Sequence, residues 1–195
     1  MDEKRISVVV LLDMSKAFDS IQNDNVLSKL HLQGVLASAL AWFKSYLSLH
    51  KQVVRMGSDL SDPLPLTVGV AHGSILGPVL FTLYVNNLLS ACAEEVRSHG
   101  LYRRHQTALT LLPSDISDAI SDLNSDVREI AKWCSANSLL INPNKTKLLV
   151  VGNPQLTRNV SFPPVFLLGK NIKPSPVVTD LGFWISAVTF DDHVS

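Results

Sequence analysis

The chain has 195 residues, 46% of them hydrophobic, which is enough for one cored domain or a domain with a small appendage. Only 17% are charged, and seventeen basic residues cancel seventeen acidic ones. Bulk charge therefore excludes any inference of a nucleic-acid partner from a basic excess, so such a reading must rest on local motifs.

The N-terminal residues Met1-Asp2-Glu3-Lys4-Arg5 are charged and lead into Val8-Val9-Val10-Leu11-Leu12, an apolar run too short for a signal-peptide core with its cleavage site. Residues 7–12 are β-branched and leucine-rich without alternation, which predicts a strand buried on both faces. Asn23 or Asp24 is placed to cap a short helix through Leu30, with Gly34 at its exit. A second helix is expected over Leu36–Leu47, carrying Trp42, Phe43 and Tyr46. Gln52–Met56 reads as a strand, and Gly57-Ser58-Asp59 turns the chain towards Leu64–Val70, where Pro63 and Pro65 suggest an edge or an irregular approach.

The loop Gly69-Val70-Ala71-His72-Gly73-Ser74 then opens a helix from about Ile75 to Ala91. The apolar stretch from Ile75 to Leu89 is broken by Gly77-Pro78 and Asn86-Asn87 and falls short of the roughly 20 residues of a membrane span. A soluble, intracellular chain without membrane contact is expected. From Ser114 to Asn137 the helical periodicity is clearest: Ile116, Ile120, Leu123, Val127, Ile130 and Cys134 recur at three- and four-residue steps. Apolar runs at 147–151, 165–168 and 180–185, separated by Pro and Gly, read as small strands. Strands and helices alternate irregularly, so the fold class is α+β rather than a doubly wound sheet. Cys92 and Cys134 have no metal-type spacing and read as buried, reduced thiols, with a disulfide as the other reading.

Leu11-Leu12-Asp13-Met14-Ser15-Lys16-Ala17-Phe18-Asp19 is the first stretch with chemistry in it. A carboxylate at the end of a buried strand is well placed to hold a divalent cation at a sheet's rim, and oxygen donors suit Mg²⁺. An isolated aspartate there more often ends the strand and caps the next turn. The neighbours change that balance. This segment resembles the first carboxylate motif of reverse transcriptases, and Gly69-Val70-Ala71-His72-Gly73-Ser74-Ile75-Leu76-Gly77-Pro78 resembles their second. Ala41–Leu47 followed by Lys51-Gln52-Val53-Val54 looks like the helix and strand between those motifs in non-LTR (LINE-type) retrotransposons. Trp133 with Asn137–Lys147 is similar to the fourth motif, and Asp180–Ile185 with Phe190–Val194 to the stretch after it. The resemblance runs in order from residue 8 to 194.

The resemblance implies a palm subdomain of a right-hand polymerase over residues 1–150 and a partial palm-to-thumb connection over 151–195. It implies an RNA template and a DNA primer as partners, and Mg²⁺ as cofactor. By the same resemblance Asp13 matches the aspartate shared between two Mg²⁺ ions in in-line nucleotidyl transfer. Phe18 matches the bulky side chain that excludes a 2′-hydroxyl, while as a residue it reads equally as a core aromatic. Asp19 fits a structural role in the turn at 20–25. Gly73 and Ser74 match the loop that approaches template and incoming nucleotide, where glycine admits close backbone approach and a helix N-terminus favours anions; a plain loop and cap is the alternative. Ala71-His72 stands where the family usually has Pro-Gln. Lys145 matches the fourth-motif lysine, a candidate for protonating pyrophosphate, against the ordinary reading of a solvated surface lysine.

The pattern breaks at the third motif, a hairpin bearing Tyr-Ala-Asp-Asp in the family. This chain has Leu101-Tyr102-Arg103-Arg104-His105-Gln106-Thr107 there, so Arg103 and Arg104 replace the remaining catalytic carboxylates. At about 4 Å a pair of unit charges interacts by roughly 4 kcal/mol at an effective dielectric of about 20, here as repulsion of a metal that has also lost ligands. Family catalysis is expected to fail. If Arg103–Ala108 are encoded by CGA-CGA-CAT-CAA-ACT-GCA, the same string read one base later gives Asp-Asp-Ile-Lys-Leu; a small deletion after Tyr102 is the expected origin on that supposition, and the gene's nucleotide sequence decides it. Only the first few residues precede the first strand, so the family's fingers region is expected to be missing. An inactive palm remnant is the favoured reading; the alternatives are an active polymerase and a non-catalytic RNA- or protein-binding module. The fold expectation is a small antiparallel sheet with Asp13's strand central, 101–113 paired beside it, and the helices near 75–91 and 114–137 behind.

Overall fold

The computed structural model describes residues 6–71, 73–91, 106–111, 116–152, 157, 161–175, 177–180 and 183–186. In chain order these hold strands β1 (Ile6–Leu11) and β2 (Met14–Ser15), helices α1 (Asn23–Leu32) and α2 (Ala37–Ser48), and the short strands β3 (Lys51–Gln52), β4 (Arg55–Met56), β5 (Asp59–Leu60) and β6 (Leu64–Pro65). Helix α3 (Leu76–Val85) follows, continued by a 3₁₀ helix over Asn86–Ala91. Then come β7 (Gln106–Leu111), α4 (Ile116–Ala136), β8 (Leu140–Ile141), β9 (Lys147–Val151), β10 (Val165–Leu167), β11 (Lys170–Ile172), β12 (Val177–Asp180) and β13 (Phe183–Ser186). The result is a mixed α+β chain with small antiparallel sheets, divided into two compact units.

The first unit comprises Met1–Ser15, Leu89–Cys134 and Ile141–Ser195. Its centre is β1, flanked by β7 and β9 with antiparallel pairing on both sides, so that Val9 faces Ala108 on one side and Leu149 on the other. This is the expected sheet, with Asp13's strand in the middle and part of the 101–113 stretch beside it. The burial of β1 differs from the expectation: Ile6, Val8 and Val10 are at most 1% exposed, whereas Ser7, Val9 and Leu11 are only half-buried. A strand places alternate side chains on opposite faces, and the second face here is only partly covered.

The apolar stripe of α4 (Ile116, Ile120, Leu123, Val127, Ile130 and Cys134) is buried throughout, as its periodicity predicts. Burial pushes the Cys134 thiol up to about 12, which fits an inert, reduced cysteine. Cys92 lies outside the described residues. On α4, Asn124 grips the strand β10: its Nδ2 donates to the Pro164 carbonyl at 3.1 Å and its Oδ1 accepts the Phe166 amide at 2.8 Å. Losing both bonds in Asn124→Ala is expected to lower stability by about 1–2 kcal/mol, read from the urea midpoint. The run 180–185, expected as one strand, is divided between β12 and β13, which pair with Asp180 opposite Phe183.

The second unit comprises Lys16–Leu88 and Ser135–Leu140. Helix α1 packs on α2 and α3 around Ile21, Val26, Leu30, Leu47, Val70, Leu80, Phe81, Tyr84 and Leu139. Gly34, at φ +84°, ends α1 in the left-handed conformation, its amide donating to His31 and that of Val35 to Leu30, the two bonds of a Schellman motif. The start of α1 is a correction: Gln22 is the N-cap, without a side-chain bond, and the Asn23 Oδ1 is buried with no partner. The strand expected over 52–56 is split as well. β3 pairs with β6 and β4 with β5, because the two-residue turn after Met56 pairs it with Asp59 while the chain returns later to Gln52. The helix expected to Ala91 is α-helical only to Val85 and 3₁₀ beyond, the change falling at Asn86-Asn87, residues that compete for backbone hydrogen bonds. Among the described residues no helix is long and apolar enough to cross a membrane.

Candidate functional site

In the first unit β1 delivers Asp13 two residues past its last paired residue, Leu11, at the rim of the three-stranded sheet. The residue is half-buried, and its backbone is held on both sides by the fourth-motif segment. The Asp13 amide donates to the Thr146 Oγ1 at 3.3 Å, and the Asp13 carbonyl accepts the Asn142 amide at 2.8 Å. Thr146, only 3% exposed, donates in turn to the Asn142 carbonyl at 2.9 Å, and Asn142 Oδ1 accepts the Asn144 amide at 3.0 Å. An Asx turn closed by a threonine therefore presses the loop 142–146 against the end of β1. Lys145 rides on that loop, exposed, its amide donating to the Asn142 carbonyl. Asp13 and Lys145 are thus joined through one hydrogen-bonded loop. Outside the loop, Lys170 of β11 donates to Asn144 Oδ1 at 2.5 Å.

In the second unit the end of the first motif and the start of the second are fastened to each other. The Gly69 amide donates to Ile21 at 2.7 Å and the Val70 amide to Phe18 at 3.0 Å. Gly69 is at φ +88°, and a Cβ there would lie 3.1 Å from both Cα and O of Asp19. Phe18 is half-buried and packs on Phe81 of α3, ring centroids 5.1 Å apart at 41°. Gly73 is exposed at φ +77° with open space where a side chain would be, and Ser74 Oγ accepts the Gly77 amide at 2.9 Å. The serine so caps the first turn of α3, one residue before the formal N-cap, and the small Gly77 leaves room for it: a Cβ there would meet Ser74 Oγ at 3.1 Å.

Sequence reasoning missed Thr146, Asn142, Gly69 and Phe81. The Asn142-Pro143-Asn144-Lys145-Thr146 run did carry the signal of an Asx turn; the rest depend on contacts between segments far apart in sequence. His72, Arg103 and Arg104 lie outside the described residues. Among the described residues no group of three or more His, Cys, Asp or Glu side chains comes together. A Mg²⁺ site needs one or two carboxylates besides waters and substrate phosphates, and a two-metal centre needs more than one aspartate. The Asp13 carboxylate has the chemistry of one such donor.

A family model described as reverse transcriptase (RNA-dependent DNA polymerase) matches residues 1–185. The chain belongs to the reverse transcriptase family. Its relatives come from mobile elements of Drosophila melanogaster. It is 30% identical, over 201 aligned positions, to the probable RNA-directed DNA polymerase from transposon BS, which aligns to 99% of this chain. It is 32% identical over 204 positions to the probable RNA-directed DNA polymerase from transposon X-element, and 25% identical over 201 to the RNA-directed DNA polymerase from mobile element jockey. These alignments take in all or nearly all of this chain but only 22%, 21% and 21% of the respective relatives. This reverse transcriptase domain is therefore of the non-LTR retrotransposon type.

Proposed function

We propose that residues 1–150 are the palm of a non-LTR reverse transcriptase and 151–195 part of its palm-to-thumb connection, and that this copy no longer catalyses nucleotidyl transfer. The observation that carries the reading is the exchange of the third-motif aspartates for Arg103 and Arg104. Gln106 pairs with Leu11 in the sheet; Arg104 stands two residues before the one and Asp13 two residues after the other. In this reading the two arginines stand in sequence where the family has its remaining metal-binding aspartates, and positive charge in place of those carboxylates opposes a divalent cation.

In this reading Asp13 retains the role of the metal-binding carboxylate in form, and Lys145 that of the group placed to protonate pyrophosphate. Phe18, braced on Phe81, is the side chain beside the sugar, and Gly73 and Ser74 form the loop facing template and nucleotide. The chemistry of the bound Mg²⁺ would be polarisation of the transferred phosphoryl group, and the single aspartate does not suffice to hold the pair of ions.

The test is template-primed deoxynucleotide incorporation with Mg²⁺ or Mn²⁺, this chain against Asp13→Ala. No incorporation by either, from a sample whose circular dichroism shows it folded, is the expected result. Incorporation that the Asp13→Ala change abolishes would overturn the loss of catalysis and establish a working site despite Arg103 and Arg104.

A further inference from the structure

The ladder between β1 and β9 changes where it reaches Asp13. Leu11 faces Lys147, so a regular antiparallel register would bring Asp13 opposite Lys145. The Asp13 carbonyl instead accepts the amide of Asn142, five residues before Lys147. Three extra residues therefore stand opposite Asp13, in the loop that carries Lys145. An insertion of this kind interrupts the ladder and leaves backbone groups in need of other bonds.

A hydrogen-bonded antiparallel pair exchanges two bonds. Asn142 and Asp13 make one of them directly, amide to carbonyl, at 2.8 Å. The return bond is not direct, because the Asn142 carbonyl is drawn into its own loop, where it accepts the Lys145 amide at 3.2 Å and the Thr146 amide at 3.0 Å. The Thr146 hydroxyl takes the missing place. Its Oγ1 accepts the Asp13 amide at 3.3 Å and donates to the Asn142 carbonyl at 2.9 Å. Acceptor and donor have to be one atom here, which a hydroxyl provides and an aliphatic side chain of the same shape does not.

We propose that Thr146 is a positioning residue for the polymerase site: its hydroxyl is a rung inserted between Asp13 and Asn142, and it fixes Asp13 against the loop bearing Lys145. The inference rests on the reading of Asp13 as the metal-binding carboxylate and Lys145 as the group for pyrophosphate, and adds to them a residue that acts only through its neighbours. With amide and carbonyl both tied, the Asp13 backbone is held at two points, which sets the direction of its Cα–Cβ bond. The Lys145 amide hangs on the same Asn142 carbonyl, so one hydroxyl governs both residues. Branching at Cβ restricts Thr146 to few rotamers, and the residue is buried, so the hydroxyl is aimed before any ligand arrives. A working site has to be held to within about 0.5 Å of its productive geometry, and such a rung supplies that restraint.

The test is amide hydrogen exchange, followed by NMR on isotope-labelled protein without metal or nucleic acid, in the parent, Thr146→Val and Thr146→Ser. Valine keeps the shape and removes the hydroxyl, whereas serine keeps the hydroxyl. The Asp13 amide is expected to exchange faster in Thr146→Val by roughly 5- to 150-fold, the range for a buried donor left unpaired. The resonances of the Asp13 carboxyl carbon and the Lys145 amide should move with it, while the amides of Val8, Val9 and Val10 keep the parent's protection. Thr146→Ser should restore all of these to near the parent's values. A residue that only supports the fold would lower protection along the whole of β1, or unfold the valine variant, and either result would overturn the proposal. Unchanged exchange at Asp13 in Thr146→Val, or a serine variant that behaves like the valine one, would overturn it as well. The measurement needs no turnover, so its outcome is separate from that of the incorporation assay, which tests the underlying reading of Asp13.

Discussion

Tyr84→Ala is expected to destabilise the protein by about 3–5 kcal/mol. Tyr84 is fully buried in α3 and is the largest fully buried side chain among the described residues. Its hydroxyl donates to the Asn137 carbonyl at 2.8 Å, so it fastens α3 to the segment leaving α4 within the same unit. Lys29 of α1 lies 4.4 Å above the ring and donates both to the Tyr84 carbonyl and to Asn137 Oδ1 at 3.3 Å. Burial holds the lysine below its ordinary pKa. Removing the ring leaves a cavity and also strips Lys29 of the aromatic face that compensates its desolvation. Tyr84→Phe separates the contributions: it keeps the volume and the cation–π contact and leaves the Asn137 carbonyl without its donor, at a cost of about 1–2 kcal/mol. Urea unfolding of the three proteins measures both. A loss under about 1 kcal/mol for the alanine variant would show that this knot does not hold the unit together.

Gly69→Ala is the second. At φ +88° any L side chain is strained by about 1–2 kcal/mol, and here the added Cβ would also sit 3.1 Å from Cα and O of Asp19 and 3.2 Å from O of Phe18. All three neighbours are backbone, so no flexible side chain can yield. The two ways out are to move the 18–19 turn or to break the bonds from Gly69 to Ile21 and from Val70 to Phe18, and both displace Phe18 from Phe81. A total loss of about 3 kcal/mol or more is expected, read from the urea midpoint. Gly34→Ala is the internal control, because Gly34 has a similar φ of +84° and nothing within 4 Å of its would-be Cβ. It should show the backbone strain alone. Equal losses in the two variants would mean that the close approach at Gly69 contributes nothing.

How far the sequence foretold these features depends on how local their causes are. The stripe of α4 was legible because Ile116, Ile120, Leu123, Val127, Ile130 and Cys134 repeat along one helix face, and all of them are buried. The central place of β1 followed from its β-branched run, and the pairing of Gln106–Leu111 beside it was anticipated from the order of the motifs. Gly34 announced the end of α1 by the single conformation that glycine favours there. The start of the same helix misled: Asn23 and Asp24 have the right chemistry for a cap, yet the N-cap falls at Gln22, one residue before Asn23. Gly69 and Tyr84 carried no local sign, and the Asx-turn signal of Asn142–Thr146 did not say what Thr146 would hold. Thr146 acts on a residue 133 positions away and Tyr84 on one 53 positions away, and such partners are set by the folded chain rather than by spacing. Family resemblance supplied Asp13, Phe18 and Lys145; the polar contacts that hold the first and third of them came only with the structure.

The arrangement of the three-stranded sheet also orders events in time. Leu11 and its neighbour Gln106 are 95 positions apart, and Lys147, its partner on the other side, is further still. A ribosome adding roughly 5–20 residues per second needs about 5–20 s to deliver β7 after β1 has been made, and longer to deliver β9. During that interval Ile6, Val8 and Val10 are exposed on a strand with two unpaired edges, the kind of segment that pairs with whatever extended chain is nearest. Pairing between distant segments is also slow to form, because the loop between them must close first. The strand that becomes the middle of the core is thus synthesised long before it can be enclosed, and until then its apolar side is a surface open to mispairing.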